Sequence, residues 1–353
     1  MFGKASLPRL LGLIIAVLGM ILVGAACAGE EKEPIKFHDG QWESNWEHIN
    51  IAGYIIKHGY DYPVEFVEGT TGTMLVTLPE GDIDVNMELW RKNIQPWYDE
   101  NIANGKIVDL TGTGDSVPNG SKGQILETSR QGWYVPTYVV EENPGLKSVL
   151  DLPDYKHLFP DPEDPSKGVW VNCIIGWQCQ KIFRAKSFAY GLDEHYNVIE
   201  PGSGGAIEAN IYGAYQAGEP VLSYYWEPTK LMNDLDMTLL EEPEWNEACH
   251  AAIQAAIEAE PYESEVACAE QEYDVHTGVN SSLVERAPEV VDFLGNMFIG
   301  ALALGDLATW KTENDKEWDE AAIYWLKNNE DTWTQWVPSD VADKVKRALE
   351  KED

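Results

Sequence analysis

Three tryptophans lie in short stretches whose neighbouring residues suit a small-molecule site. Trp177 follows a glycine and lies between two cysteines in the sequence VNCIIGWQCQ. Trp90 ends the stretch DIDVNMELW, and Trp226 lies near the end of VLSYYWEP. Indole faces attract cations, including ammonium ions that carry no N–H group for hydrogen bonding. Three such faces brought together would make a box for a cation of this kind.

Core packing is the alternative for any single tryptophan, because the chain contains 14 of them. Trp42, at the start of a predicted helix, suits either the core or the rim of a site. Trp133 and Tyr134 are expected to pack where the chain crosses between two halves. His38 and Asp39 have no further chemical partner in the nearby sequence, so a helix cap or a surface position is predicted. The tryptophans on the predicted C-terminal helices are expected to pack: Trp310, Trp318, Trp325, Trp333 and Trp336.

Alternating strands and helices are predicted to position the three stretches. In the first half, apolar periodicity predicts strands up to residue 36 and at 62–67 and 83–87, with helices over 42–58 and 71–78. Asp39 is the predicted cap of the first helix. This order predicts a parallel open sheet, in which ligands bind beyond the carboxyl ends of the strands, where Trp90 lies.

The second half repeats this alternation and then returns to the first. Strands are predicted at 169–173 and 221–226, helices at 179–190 and 206–217, and C-terminal helices at 287–303, 318–327 and 339–350. Crossings near residues 134 and 274 divide the chain into two α/β lobes. Lobe 1 is predicted to contain 33–134 and 275–353, and lobe 2 to contain 135–274.

The N-terminus has the pattern of an export signal. Lys4 and Arg9 precede an apolar run at residues 10–26, which is short for a membrane span and ends in small residues. The sequence VGAAC at its end resembles a bacterial lipobox. Residues 1–26 are therefore predicted to be a signal peptide, Cys27 a lipidated N-terminus and 27–32 a tether. An uncleaved membrane anchor is the alternative, and both place the remainder outside the cytoplasm.

Four cysteines remain besides Cys27: Cys173, Cys179, Cys249 and Cys268. An exported chain enters an oxidising compartment, so disulfides are expected. Four cysteines allow three pairings, of which the local one is the simplest. A zinc site is a weaker alternative, because the chain has no C-x-x-C motif there and His250 is the only histidine nearby.

Charge and motifs exclude several classes of protein. The chain has 25 Lys+Arg against 60 Asp+Glu, which disfavours binding to a phosphate backbone and suits a solvated acidic surface or the attraction of cationic ligands. The sequence has no G-x-S-x-G, H-E-x-x-H or P-loop motif. We therefore predict neither an enzyme nor a nucleic-acid partner, and no cofactor or metal.

The motifs CIIGWQC, YYWEP and GDIDV before Trp90 resemble the periplasmic glycine betaine/proline betaine binding proteins, the substrate receptors of ATP-driven osmoprotectant importers. The resemblance covers roughly residues 33–340. It implies the two-lobe periplasmic binding protein fold of type II, with the ligand in the cleft between the lobes. It also implies a Cys173–Cys179 disulfide.

The resemblance further implies the parts of the site. Trp90, Trp177 and Trp226 would enclose a trimethylammonium group. The backbone amides of Gln178 and Cys179, at the start of a predicted helix, would bind the ligand's carboxylate.

One position departs from the family pattern. Ile94 lies where some members have a carboxylate-binding histidine, and the neighbouring Arg91, Lys92 or Asn93 could take that role. Betaine, proline betaine, choline and carnitine all remain open as ligands. The predicted function is capture of a quaternary ammonium osmolyte and its delivery to the permease of an ABC importer. The alternative is a lipoprotein that binds glycans or other small molecules on tryptophan platforms.

Overall fold

The computed structural model describes residues 32–111 and 124–352. The predicted signal peptide, Cys27 and most of the tether lie outside the described residues. Within the described part of the chain, no single helix is long and apolar enough to cross a membrane. One bent pair of helices, 288–296 with 301–313, passes the length and composition criteria only when both are taken together.

Ten strands are described in these two ranges: β1 (Ile35–Asp39), β2 (Val64–Glu68), β3 (Val85–Leu89), β4 (Ile107–Asp109), β5 (Gln124–Pro136), β6 (Gly168–Val171), β7 (Tyr196–Ile199), β8 (Ser223–Glu227), β9 (Met237–Leu239) and β10 (Tyr273–Asn280). Their pairing order is β2-β1-β3-β10-β5-β8-β6-β7, with β4 on β10 and β9 on β5. As predicted, β1, β2 and β3 are parallel. The sheet as a whole is mixed, because β10 runs antiparallel to both β3 and β5.

The described α-helices follow the predicted alternation: α1 (Glu43–Gly59), α2 (Thr71–Glu80), α3 (Gln95–Ala103), α4 (Thr137–Glu142), α5 (Leu152–Tyr155), α6 (Gln178–Ala189), α7 (Gly204–Ala217), α8 (Lys230–Asp234), α9 (Glu247–Ala256), α10 (Ser281–Arg286), α11 (Pro288–Asn296), α12 (Ala301–Glu313), α13 (Trp318–Asn328), α14 (Glu330–Trp333) and α15 (Ser339–Leu349). The predicted cap of α1 is wrong. Trp42 precedes the helix without a side-chain cap, and Asp39 instead accepts hydrogen bonds from the Gln41 amide and the Trp46 indole.

The predicted single helix over 287–303 is also wrong. The chain forms α11 and α12, which meet at an angle of 94°. Gly300 lies between them with φ +85°, a conformation that ordinary residues rarely adopt and that ends helical propagation. Apolar periodicity continues through this bend, which explains why the sequence suggests one helix.

Two large buried cores lie on either side of the central strands. The first contains Ile35 and Phe37 of β1 together with C-terminal residues such as Trp333. The second contains Trp133 of β5 and Trp170 of β6. Trp133 and the tryptophans at 325, 333 and 336 are buried, which confirms their predicted packing roles. The two remaining C-terminal tryptophans also pack: Trp310 stacks on Tyr324 and Trp318 on Trp46, with ring centroids 3.7 and 6.0 Å apart.

Strand β5 passes from one core to the other. Its residues up to Ser129 pair with β10, and its residues from Arg130 onwards pair with β8 and β9. The partner therefore changes between Ser129 and Arg130. Segments that precede and follow this change of partner in the chain line one cavity. Trp90 lies at this cavity and packs against both cores.

Candidate ligand site: an aromatic cavity where the two cores meet

Four tryptophans from four separate elements face one cavity. Trp42 precedes α1, Trp90 follows β3, Trp177 precedes α6 and Trp226 lies in β8. The cavity brings together the three tryptophans, Trp42, the two helix residues and Asn93 proposed from the sequence, but not the alternatives Arg91 and Lys92, and it adds several residues that were not proposed. Its lining consists of His38, Trp42, Thr71, Met74, Asn86, Glu88, Trp90, Asn93, Ile94, Gln131, Trp177, Gln178, Cys179, Tyr224 and Trp226.

The indole rings form adjacent walls rather than a stack. The ring centroids of Trp42 and Trp177 are 5.4 Å apart with planes at 77°, and those of Trp177 and Trp226 are 5.5 Å apart with planes at 73°. Perpendicular neighbours of this kind can turn their faces toward a shared space. Tyr225 stacks on Trp226 with centroids 4.4 Å apart, which supports that wall.

A buried carboxylate fixes two of the walls. Glu88 Oε2 accepts hydrogen bonds from Trp42 Nε1 at 2.7 Å and from Trp90 Nε1 at 3.1 Å. Its other oxygen lies 2.8 Å from His48 Nδ1, and both side chains are fully buried. The carboxylate therefore orients the indoles and adds negative charge where their faces already favour a cation. Glu88 is not among the residues predicted from the sequence, although its position two residues before Trp90, near the end of β3, favours both side chains on one face.

Further ionisable groups lie behind this wall. Burial raises the pKa of Glu47 well above its ordinary value, and the nearby carboxylates of Glu43 and Glu88 raise it further. Burial also raises the pKa of Glu43, to about 7. Burial thus disfavours the charged forms of Glu43 and Glu47, whereas three hydrogen-bonding neighbours hold the carboxylate of Glu88.

His38 differs from its predicted surface or capping role. It is buried at the end of β1, lines the cavity and places Nε2 2.9 Å from the carbonyl oxygen of Gly69. Burial lowers its pKa to about 4, so the ring is neutral at physiological pH and Nε2–H donates to that carbonyl. The next strand in space supplies this partner, which the local sequence does not reveal.

Another part of the cavity lining offers neutral hydrogen-bond donors. Trp177 precedes α6 without a side-chain cap, so the backbone amides of Gln178 and Cys179 lie at an open helix N-terminus. Asn93 and Ile94 also line this space. Arg91 is instead paired with Asp274, and no lysine or arginine occurs among the described lining residues.

Two disulfides brace this region, which confirms the local pairing. Cys173–Cys179 joins the segment after β6 to the first turn of α6, with Cα atoms 5.7 Å apart. Cys249–Cys268 joins α9 to the segment before β10, with Cα atoms 6.4 Å apart. Between the first two cysteines, Gly176 has φ +92°, and an added Cβ would lie 2.7 Å from Thr70 Cγ2. Glycine there permits close approach between the two sides of the cavity.

Comparison with known proteins places this arrangement in a family. Residues 33–328 match the model of the substrate binding domain of ABC-type glycine betaine transport systems (OpuAC). The chain belongs to this family. It is a substrate-binding protein of a betaine/choline-type ABC transporter, and this family is not a class of enzymes.

Individual relatives of this glycine betaine family are distant in sequence. The chain is 21% identical to the trimethylamine N-oxide-binding protein of Pelagibacter ubique (strain HTCC1062), over 95% of this chain and 99% of that one. A solved choline-binding protein in complex with choline is 17% identical, with a TM-score of 0.68, covering 90% of this chain and 98% of that one. Lactococcal OpuAC in its closed form with glycine betaine is 15% identical, with a TM-score of 0.64, covering 87% and 100%. These structures confirm the predicted fold, the α/β periplasmic binding protein fold of type II.

Proposed function

We propose that this protein captures glycine betaine or a related small quaternary-nitrogen solute in the aromatic cavity and delivers it to the permease of an ABC importer. The observation that carries the proposal is the convergence of four indoles and the Glu88 carboxylate on one space. A cation without N–H groups is held by ring faces and by a nearby negative charge. A sugar would instead require many polar partners around one or two flat rings.

The two ends of such a ligand have separate partners. The trimethylammonium end lies among Trp42, Trp90, Trp177 and Trp226. The oxygen-bearing end faces the donors on the other side of the cavity, namely the backbone amides of Gln178 and Cys179 and the side-chain amide of Asn93. This division suits ligands in which a fixed positive nitrogen lies one to a few bonds from an acceptor oxygen.

The neutral character of the donors bears on which ligand is preferred. Without a lysine or arginine among the described lining residues, a carboxylate gains hydrogen bonds but no ion pair. An N-oxide oxygen needs only such neutral donors, and the name of the Pelagibacter relative makes trimethylamine N-oxide a second ligand to test. Choline, carnitine and proline betaine complete the set of candidates.

Binding is coupled to closure of two lobes, lobe 1 at 33–134 with 275–353 and lobe 2 at 135–274. Trp42 and Trp90 come from the first lobe, and Trp177 and Trp226 from the second. A ligand that contacts all four shifts the population toward the closed form. The permease would recognise that form, and a lipid on Cys27 would hold the protein at the outer face of the cytoplasmic membrane.

Calorimetric titration of the mature protein tests the proposal. Glycine betaine, trimethylamine N-oxide, choline, carnitine and proline betaine should be compared with maltose. We expect micromolar or tighter binding of at least one ammonium ligand and no binding of maltose. Binding of maltose alone would favour a glycan receptor, and binding of none of these ammonium ligands would refute the proposed function.

A further inference from the structure

We propose that Gln131 is a positioning residue that turns the side-chain amide of Asn93, so that the cavity offers an N–H donor to an anionic oxygen of the ligand. The proposal rests on the proposed function and deepens it. It specifies ligands that carry both a quaternary nitrogen and an acceptor oxygen. Gln131 lies on β5, two residues beyond Ser129, and therefore just after the strand changes its pairing partner.

A buried ion cluster lies behind the cavity, next to Gln131. Lys186 Nζ lies 2.8 Å from Glu242 Oε2 and 2.9 Å from Glu270 Oε1, and the lysine side chain has no exposed surface. Burial disfavours the charge, yet the two carboxylates raise the pKa of Lys186 above its ordinary value. The ammonium group has only donors, so the oxygen that Glu270 turns toward it must accept.

Glu270 fixes the orientation of the Gln131 side chain. Gln131 Nε2 lies 3.4 Å from Glu270 Oε2, and Gln131 Oε1 accepts a hydrogen bond from Tyr224 OH at 3.0 Å. If the glutamine amide were turned over, its oxygen would face the carboxylate oxygen, and two acceptors would meet in a buried site. That arrangement is costly, because buried polar groups without partners are strongly disfavoured.

Gln131 in turn fixes Asn93. Gln131 Nε2 donates to Asn93 Oδ1 at 2.7 Å, and the two side chains are only 4% and 7% exposed. Asn93 Oδ1 is thereby committed to Gln131. Asn93 Nδ2 points the other way and has no hydrogen-bond partner among residues 32–111 and 124–352. Asn93 lines the cavity, so this free N–H group is available to a ligand.

The backbone around Asn93 is held as firmly as its side chain. The carbonyl oxygen of Lys92 lies 3.0 Å from His250 Nε2 and 3.3 Å from Gln254 Nε2, both on α9. The start of α6 packs against the same turn, and its Gln178 and Cys179 line the same cavity. The N–H donor of Asn93 and the backbone amides of the helix thus line the same part of the cavity. The orientation of the Asn93 donor is fixed by the series of hydrogen bonds that runs from Lys186 through Glu270 and Gln131.

The donor and acceptor directions in this series of side-chain hydrogen bonds can be reversed by exchanging two of its residues. In the double variant Gln131→Glu with Glu270→Gln, the carboxylate and the amide exchange places and the net charge is unchanged. The new glutamate accepts from Tyr224, from the new glutamine and from Asn93 Nδ2. Asn93 then presents Oδ1 to the cavity. An acceptor facing the ligand's anionic oxygen replaces a donor.

Ligand selectivity is the readout, because a general packing defect would not change it. The probes are glycine betaine and trimethylamine N-oxide, which carry an acceptor oxygen, and tetramethylammonium, which carries none. Loss of one charge-assisted hydrogen bond predicts roughly a 10- to 100-fold weaker affinity for the first two. Affinity for tetramethylammonium should not fall, because the carboxylate placed at residue 131 lines the cavity and attracts a cation. Equal losses for all three probes, or no loss for the oxygen-bearing ones, would overturn the proposal.

A second variant tests the same proposal if the double variant does not fold. Gln131→Met keeps the side-chain length and removes both the oxygen and the nitrogen of the amide, so Asn93 loses its fixed orientation and selectivity should fall in the same direction. Gln335→Glu, an exposed glutamine on the C-terminal side, is the control and should bind every probe as the parent does. If the parent binds no ammonium probe, the proposed function is wrong. If the parent binds but Gln131→Met keeps full selectivity, only the positioning role is wrong.

Discussion

Replacing Glu88 by glutamine should weaken binding of ammonium ligands while hardly affecting neutral analogues of the same shape. The substitution keeps an oxygen that can accept from Trp42 Nε1 and Trp90 Nε1, which lie 2.7 and 3.1 Å from Glu88 Oε2. It removes the negative charge. The variant therefore separates the electrostatic role of Glu88 from its role in orienting the two rings.

The magnitude follows from the geometry of the box. A cation held against rings that donate to Glu88 lies about 6–7 Å from the carboxylate, given the usual ~6 Å limit between a cation and a ring centroid. At an effective dielectric constant of ~20, two unit charges at about 6.5 Å interact by about 2.5 kcal/mol. Losing that interaction corresponds to roughly 60-fold in affinity.

Calorimetry with choline and with 3,3-dimethylbutan-1-ol, its uncharged tert-butyl isostere, gives the comparison. Glu88→Gln should reduce the preference for choline over the isostere by roughly 60-fold. Glu80→Gln is the matched control, because it removes an exposed carboxylate that pairs with Lys106 outside the cavity. Equal losses for both ligands would mean that Glu88 only holds the rings in place. Unchanged affinity for both would refute the electrostatic argument altogether.

Two further predictions concern closure. If closure is what buries Glu43, it raises that pKa from the ordinary 4.5 to about 7, so protonation favours the closed form. The low pKa of His38 opposes this trend, but it does so equally in the parent and in Glu43→Gln, so the readout is the ratio of the two affinities. The affinity of the parent relative to that of Glu43→Gln should fall as the pH rises from 4.5 to about 7, and a ratio that does not change with pH would contradict the prediction. The second prediction concerns Gly305, where an added Cβ would lie 2.6 Å from Asn233 Nδ2 in the other proposed lobe. The larger side chain of Gly305→Leu should therefore hinder closure and weaken ligand affinity without touching the cavity. Gly213→Leu is the control, because an added Cβ there meets nothing within 4 Å. Equal affinities of the parent and Gly305→Leu in calorimetry would refute the role of the contact between Gly305 and Asn233 in closure.

Local sequence was sufficient for the features that depend on short-range chemistry. The simplest local pairing and the family resemblance both predicted the Cys173–Cys179 disulfide. Periodicity placed the strands and helices that it identified, except the single helix over 287–303, to within a few residues, but it left many of the shorter elements unidentified. Trp90 and Trp226 were found because strands of an open sheet end near its ligand site. The division into lobes and the roles of the site residues remain predictions.

Partners that are far apart in the chain could not be found in this way. Glu88 meets Trp42 across 46 residues, and Gln131 meets Glu270 across 139. Neither pair leaves a pattern in the local sequence. Such contacts can be inferred only once the order of the strands in the sheet and the packing of the two cores are known. The bend at Gly300 was not predicted for a different reason: the apolar pattern continues on both sides of it and therefore indicates one helix.

The most direct test of the central claim is calorimetric titration of the parent and of single tryptophan-to-alanine variants with glycine betaine and trimethylamine N-oxide. Loss of one aromatic face should cost on the order of 1–3 kcal/mol, so Trp177→Ala should bind roughly 5- to 150-fold more weakly. Similar losses are expected for Trp42→Ala, Trp90→Ala and Trp226→Ala. Trp318→Ala, which removes a ring stacked on Trp46 outside the cavity, should bind as the parent does. Parent-like affinity in all four cavity variants, or no binding of either ligand by the parent, would contradict the account.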